Sequence, residues 1–281
     1  MAKKTKRIPL TAKTADHHIL YEESVQCVEA DVDFLLKTFR RKRNRPLRTL
    51  KEDFCGTAAL ACDFIKRNPE NRAWGVDFDQ PTLDWGEEHH ASHLGDARDR
   101  LSLHCADVLD ITEPKVEAVC ACNFSYQVFK TREQLRAYFR AAWESLVDDG
   151  MFFLDCFGGS EAMDTLDEDR EIKPEPRPDG TRFEKFTYVW DQHKFNIVNH
   201  HILCHIHFEF QDGTRMDKAF TYDWRYWTLP ELQELMVEAG FKNPEVYVEG
   251  WDEDEEPDGI FRRRKRMDNI PGWVGYVVGY R

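Results

Sequence analysis

Short apolar runs alternate with amphipathic stretches along the first 160 residues of the chain. The apolar runs have the length of buried strands, and the stretches between them carry apolar residues at helical spacing. This alternation predicts a parallel sheet that is covered by helices on both faces. The predicted strands span residues 47–54, 72–77, 101–107, 116–123 and 151–157, and the predicted helices span residues 21–41, 58–66, 80–93 and 131–146.

A different pattern begins at residue 160. The acidic, proline-bearing stretch to residue 180 predicts a loop, and three later runs are rich in aromatic and β-branched residues, which favours strands. Asp212-Gly213 lies between the last two runs and is a hairpin-turn signal. A small antiparallel insertion is therefore predicted, with strands over residues 183–190, 197–210 and 215–224.

The helix and strand pattern returns after the insertion. Thr228, with Glu231 three residues later, predicts the start of a helix, and Gly240 predicts its end. Two further strands are predicted, with a strongly charged loop between them. The strands span residues 243–249 and 273–280, and the loop spans residues 251–268.

The charge balance of the 281 residues disfavours several partners. The formal net charge is −13, and such a surface repels nucleic acid and anionic membrane. No apolar run approaches the length of a membrane span, and the first residues lack an apolar signal region. None of the eight cysteines forms a Cys-x-x-Cys pair, so reduced thiols are expected. We therefore expect a cytoplasmic protein with no membrane or nucleic-acid partner.

Polar residues stand at the predicted ends of the first four strands. They are Asp53, Asp77, Asp107 and Asn123. In an open parallel sheet, ligands bind at the carboxyl ends of the strands. Each of these residues taken singly is explained by capping, but four in sequence point to a ligand site. Gly56, in the turn after the first strand, lets the backbone approach a ligand closely.

Several segments, in this order, resemble the motif series of class I S-adenosylmethionine-dependent methyltransferases, over roughly residues 20–281. They are Glu52-Asp-Phe-Cys-Gly-Thr-Ala-Ala, Gly75-Val-Asp-Phe-Asp79, Cys105-Ala-Asp107, Asn123-Phe-Ser, Leu146-Val-Asp-Asp-Gly150, Phe152-Phe-Leu-Asp155 and the late helix from Tyr226 to Phe241. The resemblance implies a Rossmann-like α/β fold, with a seven-stranded mostly parallel sheet whose last strand is antiparallel. The insertion resembles those of small-molecule N-methyltransferases of the glycine methyltransferase type.

The pattern along the chain and the resemblance together predict a division into segments. They are a disordered tail at 1–20, an S-adenosylmethionine-binding core with an N-terminal lid helix at 21–159, an antiparallel insertion on the substrate side at 160–224 and the rest of the core at 225–281. The pattern of the helix at 21–41 is explained equally well by a lid and by simple packing on the sheet.

Individual roles follow from the resemblance for S-adenosylmethionine as cofactor. Asp53 would approach the methionine ammonium, Asp77 would hold the ribose, and Asp107 would accept from the adenine amine. Other residues would line the site: Tyr21, Phe54, Cys55, Gly56, Thr57, Phe78, Val108, Asn123 and Phe124. The loop of this family often reads Gly-x-Gly-x-Gly, whereas Phe54, Gly56 and Ala58 occupy those places here.

Methyl transfer from a sulfonium needs alignment more than catalytic groups, and alignment is worth on the order of 7–11 kcal/mol. Candidate catalytic or wall residues are Tyr126, Asp155, Tyr222 and Arg225. For any one aromatic residue, core packing is the favoured alternative, and Arg225 is explained as well by an ion pair. Asn123-Phe-Ser-Tyr126 lacks the two prolines of the nucleobase-methylating motif, which favours a small-molecule substrate.

A histidine-rich strand follows within the insertion. On a strand, His201, His205 and His207 face one way, while His200 and Cys204 face the other. No third ligand has a telling spacing beside His205 and His207, so no metal is expected there.

Two alternatives to a methyltransferase stay open. One is a binding protein that holds S-adenosylmethionine without turnover. The other is an NAD-dependent dehydrogenase, which is disfavoured because Gly-x-Gly-x-x-Gly is absent and Asp53 would face the pyrophosphate. The chain is expected to be a monomer or a homodimer.

Overall fold

The described residues of the computed structural model form six α-helices and fourteen β-strands. The description covers residues 6–177, 181–251 and 257–281. The helices are α1 (His17–Ser24), α2 (Val28–Arg43), α3 (Ala59–Arg67), α4 (Gln80–His89), α5 (Arg132–Glu144) and α6 (Leu229–Ala239). The strands are β1 (Lys6–Ile8), β2 (Thr49–Asp53), β3 (Arg72–Asp77), β4 (Leu101–Cys105), β5 (Val116–Ala121), β6 (Leu146–Gly158), β7 (Leu166–Ile172), β8 (Thr181–Phe183), β9 (Phe186–Asn196), β10 (His201–Glu209), β11 (Arg215–Arg225), β12 (Lys242–Trp251), β13 (Pro257–Arg264) and β14 (Trp273–Tyr280).

The chain forms two compact units, each built from two separate stretches of sequence. The core unit comprises Cys27–Ala162 and Trp227–Arg281. The insertion unit comprises the chain up to Gln26 together with Met163–Tyr226.

The core unit contains one eight-stranded sheet, in the order β13-β12-β14-β6-β5-β2-β3-β4. Strands β4, β3, β2, β5 and β6 are parallel neighbours, and β14 runs antiparallel between β6 and β12. The predicted α/β class and the antiparallel β14 are therefore confirmed. The eighth strand, β13, lies within the stretch 251–268, where a loop was predicted, and residues 252–256 lie outside the described ranges. It pairs antiparallel with β12 at the sheet edge, where charged residues are tolerated.

Helices cover both faces of this sheet with separate apolar clusters. One cluster joins α2 and α3 to the sheet through residues such as Phe39, Phe64 and Phe153. The other joins α5 and α6 through residues such as Tyr138 and Leu235. Burial on both faces explains why the central strands read as continuous apolar runs.

The predicted helix at 21–41 is two helices, so the prediction of one continuous helix is wrong. Helix α1 ends at Ser24, whose hydroxyl donates to the Leu20 carbonyl at 2.6 Å, and Cys27 before α2 has non-helical backbone angles. Side-chain bonding of this kind competes with helix continuation. Helix α2 packs on the core sheet, with Val32, Leu35 and Phe39 fully buried.

The insertion unit contains a four-stranded antiparallel sheet in the order β11-β10-β9-β7. Gly213, with a φ of 81°, stands in the turn predicted between β10 and β11. Strand β7 lies within the stretch 160–180, where a loop was predicted; its sequence is mostly charged, and it pairs at the sheet edge.

The segment 1–20, for which disorder was predicted, contains structure among its described residues. Strand β1 pairs in parallel with β8, and Asp16 caps α1 by accepting from the His18 amide at 2.8 Å. Leu10 and Leu20 are buried in the apolar cluster of the insertion unit. Residues 1–5 lie outside the described ranges.

Candidate functional site

The turn between β2 and α3 holds three residues in the left-handed backbone region. Phe54, Gly56 and Ala58 have φ angles of 56°, 52° and 58°. This conformation costs a non-glycine residue about 1–2 kcal/mol, and such strain persists only where the surroundings impose it. The turn therefore keeps the backbone of a glycine-rich loop although two of the three residues carry side chains. Cys55 and Thr57 between them are buried.

Asp77, at the end of β3, stabilises this turn through hydrogen bonds. Its carboxylate accepts from the Gly56 amide through Oδ2 and from the Asp79 amide through Oδ1, both at 2.9 Å. Strands β2 and β3 are parallel neighbours, which brings the two strand ends together. A carboxylate oxygen can accept more than one hydrogen bond, so Asp77 retains capacity for ligand hydroxyls.

Asp53 is fully buried on one face of β2. Lys51 Nζ lies 2.8 Å from its Oδ1, and the Tyr138 hydroxyl donates to its Oδ2 at 3.1 Å. Burial raises the pKa of Asp53, while Lys51 acts in the opposite direction. These contacts join β2 to α5, and the predicted contact of Asp53 with a ligand ammonium stays a prediction.

Glu52 was not singled out from the sequence. Adjacent strand residues point to opposite faces, so Glu52 lies on the other side of β2 from Asp53. Its carboxylate accepts from the Ala61 amide in the first turn of α3 at 2.9 Å. Burial raises the pKa of Glu52 to about 8, and the negative charge of Asp77 acts in the same direction. Strand alternation could have distinguished the two neighbouring acids.

Asp31, on α2, is another acid that sequence reasoning missed. It accepts a hydrogen bond from the Tyr276 hydroxyl, and burial raises its pKa to about 6. Its charge also contributes to the raised pKa values of Glu52 and Asp155. The core unit thus concentrates buried carboxyl groups, an environment that suits a cationic ligand.

The remaining predicted cofactor residues of β3 and β4 lie at the strand ends. Phe78 is 74 % exposed, which leaves its ring free to cover a flat ligand group. Asp107 is exposed and accepts from the Leu109 amide at 2.9 Å, and Val108 beside it is buried.

A second strained turn follows β5. Asn123 and Phe124 both have a φ of 58°. The Phe124 amide donates to the Asp155 carboxylate, at 3.0 Å to Oδ1 and 3.2 Å to Oδ2. Burial raises the pKa of Asp155 well above its ordinary value. Asp155 on β6 therefore positions this turn, and its predicted role at the reacting groups stays a prediction.

Tyr126 follows in the same turn and is 1 % exposed. It packs in the apolar cluster formed with α5 and α6. This placement matches the core-packing alternative weighed for single aromatic residues.

Three predicted residues lie in the insertion unit, and two of them, Tyr21 and Tyr222, belong to an aromatic group there. Tyr222 is hydrogen-bonded to Tyr21 and stacks on Trp224, with ring centroids 4.2 Å apart. Burial raises the pKa of Tyr222 well above its ordinary value, so its hydroxyl keeps its proton at neutral pH. Arg225, at the end of β11, is paired in register with His201.

A cavity of about 510 Å³ lies elsewhere in the core unit, along β12 and β13. Basic residues 263–266 and Glu245 are among its lining residues, and none of the predicted site residues is. Arg263 and Glu245 form an ion pair at 2.8 Å within it.

Among the described residues, no helix combines the length and the apolar character needed to cross a membrane.

We compared the chain with family models, curated proteins and solved structures, and the similar solved structures described below share one fold. No protein-family model matches the chain, and no curated protein matches its sequence. Among solved structures, the chain is similar to an amino pentose methyltransferase from Micromonospora echinaspora that is involved in calicheamicin biosynthesis, with 16 % identity, a TM-score of 0.67 and coverage of 94 % of this chain and 96 % of that chain.

Two further solved structures show the same similarity. One is an S-adenosylmethionine-dependent methyltransferase from Clostridium acetobutylicum, with 16 % identity, a TM-score of 0.66 and coverage of 92 % and 96 %. The other is the sugar N-methyltransferase of a Streptoalloteichus species, with 17 % identity, a TM-score of 0.64 and coverage of 100 % and 98 %. The chain therefore has the fold of class I S-adenosylmethionine-dependent methyltransferases, as the sequence motifs predict.

Proposed function

We propose that the protein is an S-adenosylmethionine-dependent methyltransferase that methylates a nitrogen or oxygen of a small molecule by in-line displacement. The observation that carries this proposal is the turn at residues 54–58. Three residues there have left-handed backbone angles although only one is glycine, and the turn is hydrogen-bonded to Asp77 at the carboxyl end of β3. Backbone strain of this kind clusters at functional sites.

Residues at the carboxyl ends of the strands are our candidates for holding the cofactor. Asp77 would hold the ribose hydroxyls, Phe78 would cover the adenine, and Asp107 would accept from its amine. Glu52 is our candidate for the methionine ammonium in place of Asp53, because Asp53 is already paired with Lys51 and Tyr138. When bound, S-adenosylmethionine would supply an activated methyl group on a cationic sulfur.

The chain's own contribution would be alignment and charge. The turn at 54–58 and the turn at 123–124 would fix the methionine part, because both are held rigidly by carboxylates of neighbouring strands. The buried carboxyl groups of Glu52, Asp31 and Asp155 would favour positive charge in the site. A base is needed only if the acceptor arrives protonated.

An amine is our proposed acceptor, and amino sugars are the first class to screen, because two of the similar structures are amino pentose and sugar N-methyltransferases. The predicted acceptor-side residues Tyr126, Tyr222 and Arg225, the cofactor contact of Tyr21, the cytoplasmic location, the lack of a nucleic-acid partner and the monomeric or homodimeric state remain predictions.

Calorimetric titration with S-adenosylmethionine, with NAD as a control ligand, tests the cofactor. Asp77→Asn should weaken binding at least about tenfold, a change of about 1.4 kcal/mol. Asp79→Asn is the matched control, because Asp79 caps α4 by accepting from Thr82 and asparagine also caps helices well. Binding of NAD alone would contradict the proposal.

Release of S-adenosylhomocysteine with a panel of amino sugars and simple amines tests turnover. Product formed with one class of acceptor would support the enzyme, whereas tight cofactor binding without product across the panel would favour the binding-protein alternative.

A further inference from the structure

Three neighbouring strands of the insertion unit bring polar side chains together. His205 on β10 is the direct register partner of Asp191 on β9 and of Thr221 on β11. His193 lies two residues beyond Asp191 on the same strand. Single ligand atoms of Asp191, His193 and His205 all lie within 4.8 Å of one another. The pattern of β10 alone could not reveal this group, because Asp191 and His193 lie on β9.

A β-bulge helps this convergence. Leu203 pairs with Lys194, but the next residue, Cys204, pairs with Gln192, so His193 has no direct partner on β10. Bulges of this kind bend a strand and redirect a side chain. His193 is also the exposed member of the group, with 55 % of its side chain accessible, which leaves a path for an ion to enter.

His205 supplies an independent indication of a ligand. It is 3 % exposed, and its Nδ1 lies 3.0 Å from the Thr221 hydroxyl oxygen. Its Nε2 is buried and has no hydrogen-bond partner among the described residues. A buried polar atom left unsatisfied costs about 1–3 kcal/mol. When Nδ1 donates its proton to Thr221, Nε2 carries a lone pair that accepts no hydrogen bond from the described residues.

Outer contacts hold the carboxylate of the group in place. His207 Nε2 lies 3.5 Å from Asp191 Oδ2, and His207 Nδ1 lies 3.1 Å from Asp217 Oδ1. Arg215 in turn donates to Asp217 at 2.7 Å. Such outer partners orient ligands in metal sites, and the Thr221 contact does the same for His205.

We propose that Asp191, His193 and His205 bind a divalent transition metal, Zn²⁺ foremost. Two imidazoles and a carboxylate suit Zn²⁺ better than Mg²⁺ or Ca²⁺, which prefer oxygen ligands alone. Three protein ligands leave one position of a tetrahedral site open for water or another oxygen ligand. This site lies within the insertion unit and is independent of the proposed methyl transfer.

Calorimetric titration of chelator-treated, untagged protein with Zn²⁺ tests the site. We expect one Zn²⁺ per chain, and His193→Ala should weaken binding at least about tenfold, comparable with the loss of a supporting residue in known sites. Because His193 is exposed, this variant should fold normally. His201→Ala is the matched control on β10 and should leave the affinity unchanged.

Cobalt gives a second, spectroscopic readout. Co²⁺ bound to the wild type should show the visible absorption of a four-coordinate site, and His205→Asn should abolish it. Zn²⁺ binding that His193→Ala leaves unchanged would overturn the proposal, as would a failure of the wild type to bind Zn²⁺ at all. In that case the group would be explained by hydrogen bonds and ion pairs between histidine and aspartate.

Discussion

Gly86 and Thr57 approach so closely that a Cβ atom at position 86 would lie 2.2 Å from the Thr57 carbonyl oxygen. Helix α4 therefore packs directly on the strained turn after β2. The group that a side chain would meet is backbone, so it cannot rotate away. The turn that we propose for cofactor binding is thus supported from both sides, by Asp77 and by α4.

Gly86→Ala should displace this turn. We expect a loss of about 1–3 kcal/mol in the free energy of unfolding from overpacking, and S-adenosylmethionine binding weakened at least about tenfold, equivalent to about 1.4 kcal/mol. Urea unfolding and calorimetry measure the two effects. Gly272→Ala is the control, because a Cβ there would meet no atom of the described residues within 4 Å. Equal behaviour of the two variants would contradict a supporting role for α4.

Ala58→Gly tests the strain in the same turn. Glycine adopts a φ of 58° without the cost that alanine bears, so the strain relief of about 1–2 kcal/mol should offset much of the lost burial. Ala61→Gly, at a buried helical position of α3, has no such relief and should cost about 1 kcal/mol or more. Thermal or urea unfolding that ranked Ala58→Gly as the more damaging change would show that position 58 is unstrained.

Asp53→Asn tests whether Asp53, at the end of β2, stabilises the fold. The change leaves the Lys51 ammonium buried without its charged partner, and breaking such a pair costs about 3–5 kcal/mol. Asp33→Asn removes an exposed partner of Lys37 and should cost at most about 1 kcal/mol. If Asp53→Asn instead kept full stability but lost S-adenosylmethionine binding, Asp53 would be the ammonium ligand after all.

Glu52 should make stability depend on pH. Its pKa of about 8 lies above the ordinary value of 4.5, so the folded chain keeps a proton that the unfolded chain loses between these values. Its contribution is therefore fully present below about pH 4.5 and falls as the pH rises to about 8. Glu52→Gln keeps an acceptor for the Ala61 amide but cannot ionise. We expect wild-type unfolding free energy to fall relative to this variant from pH 5 to pH 8, and parallel profiles would contradict the assignment.

Cofactor binding should also release a proton from Glu52. A cationic ligand beside a carboxyl group favours its ionised form, so at pH 7 binding should expel part of the proton that Glu52 holds. Titration calorimetry in two buffers with different ionisation enthalpies measures this release. Glu52→Gln should bind S-adenosylmethionine more weakly and without the release; an unchanged release would assign the proton to another group.

The order of helices and strands in the core unit was predictable because both faces of its sheet are buried. Continuous apolar runs mark such strands clearly, as in β5 and β6. Strands β7 and β13 were missed for the opposite reason. Both lie at sheet edges and are rich in charged residues, so neither shows apolar alternation or strand propensity. Their pairing is decided by the neighbouring strand, which a local pattern does not reveal.

The candidate site was predictable only in its outline. Strand ends placed Asp77 and Asn123 at one edge of the sheet, but the choice between Glu52 and Asp53 depends on which face of β2 each side chain takes. The proposed metal ligands could not be predicted from the sequence for a related reason. Asp191 and His205 are 14 positions apart, and only the register of β9 with β10 makes them neighbours.

The insertion unit joins segments that are synthesised at very different times. The Ala12 amide donates to the Thr214 hydroxyl across 202 positions of sequence, and β1 pairs with β8. At a ribosomal rate of about 5–20 residues per second, Ala12 waits roughly 10–40 seconds until Thr214 has been synthesised. Leu10 and Leu20 remain without their final apolar neighbours throughout that interval. The segment around Leu10 and Leu20 is thus synthesised well before the strands against which it packs, and a chaperone that shields apolar segments of a nascent chain would act on it.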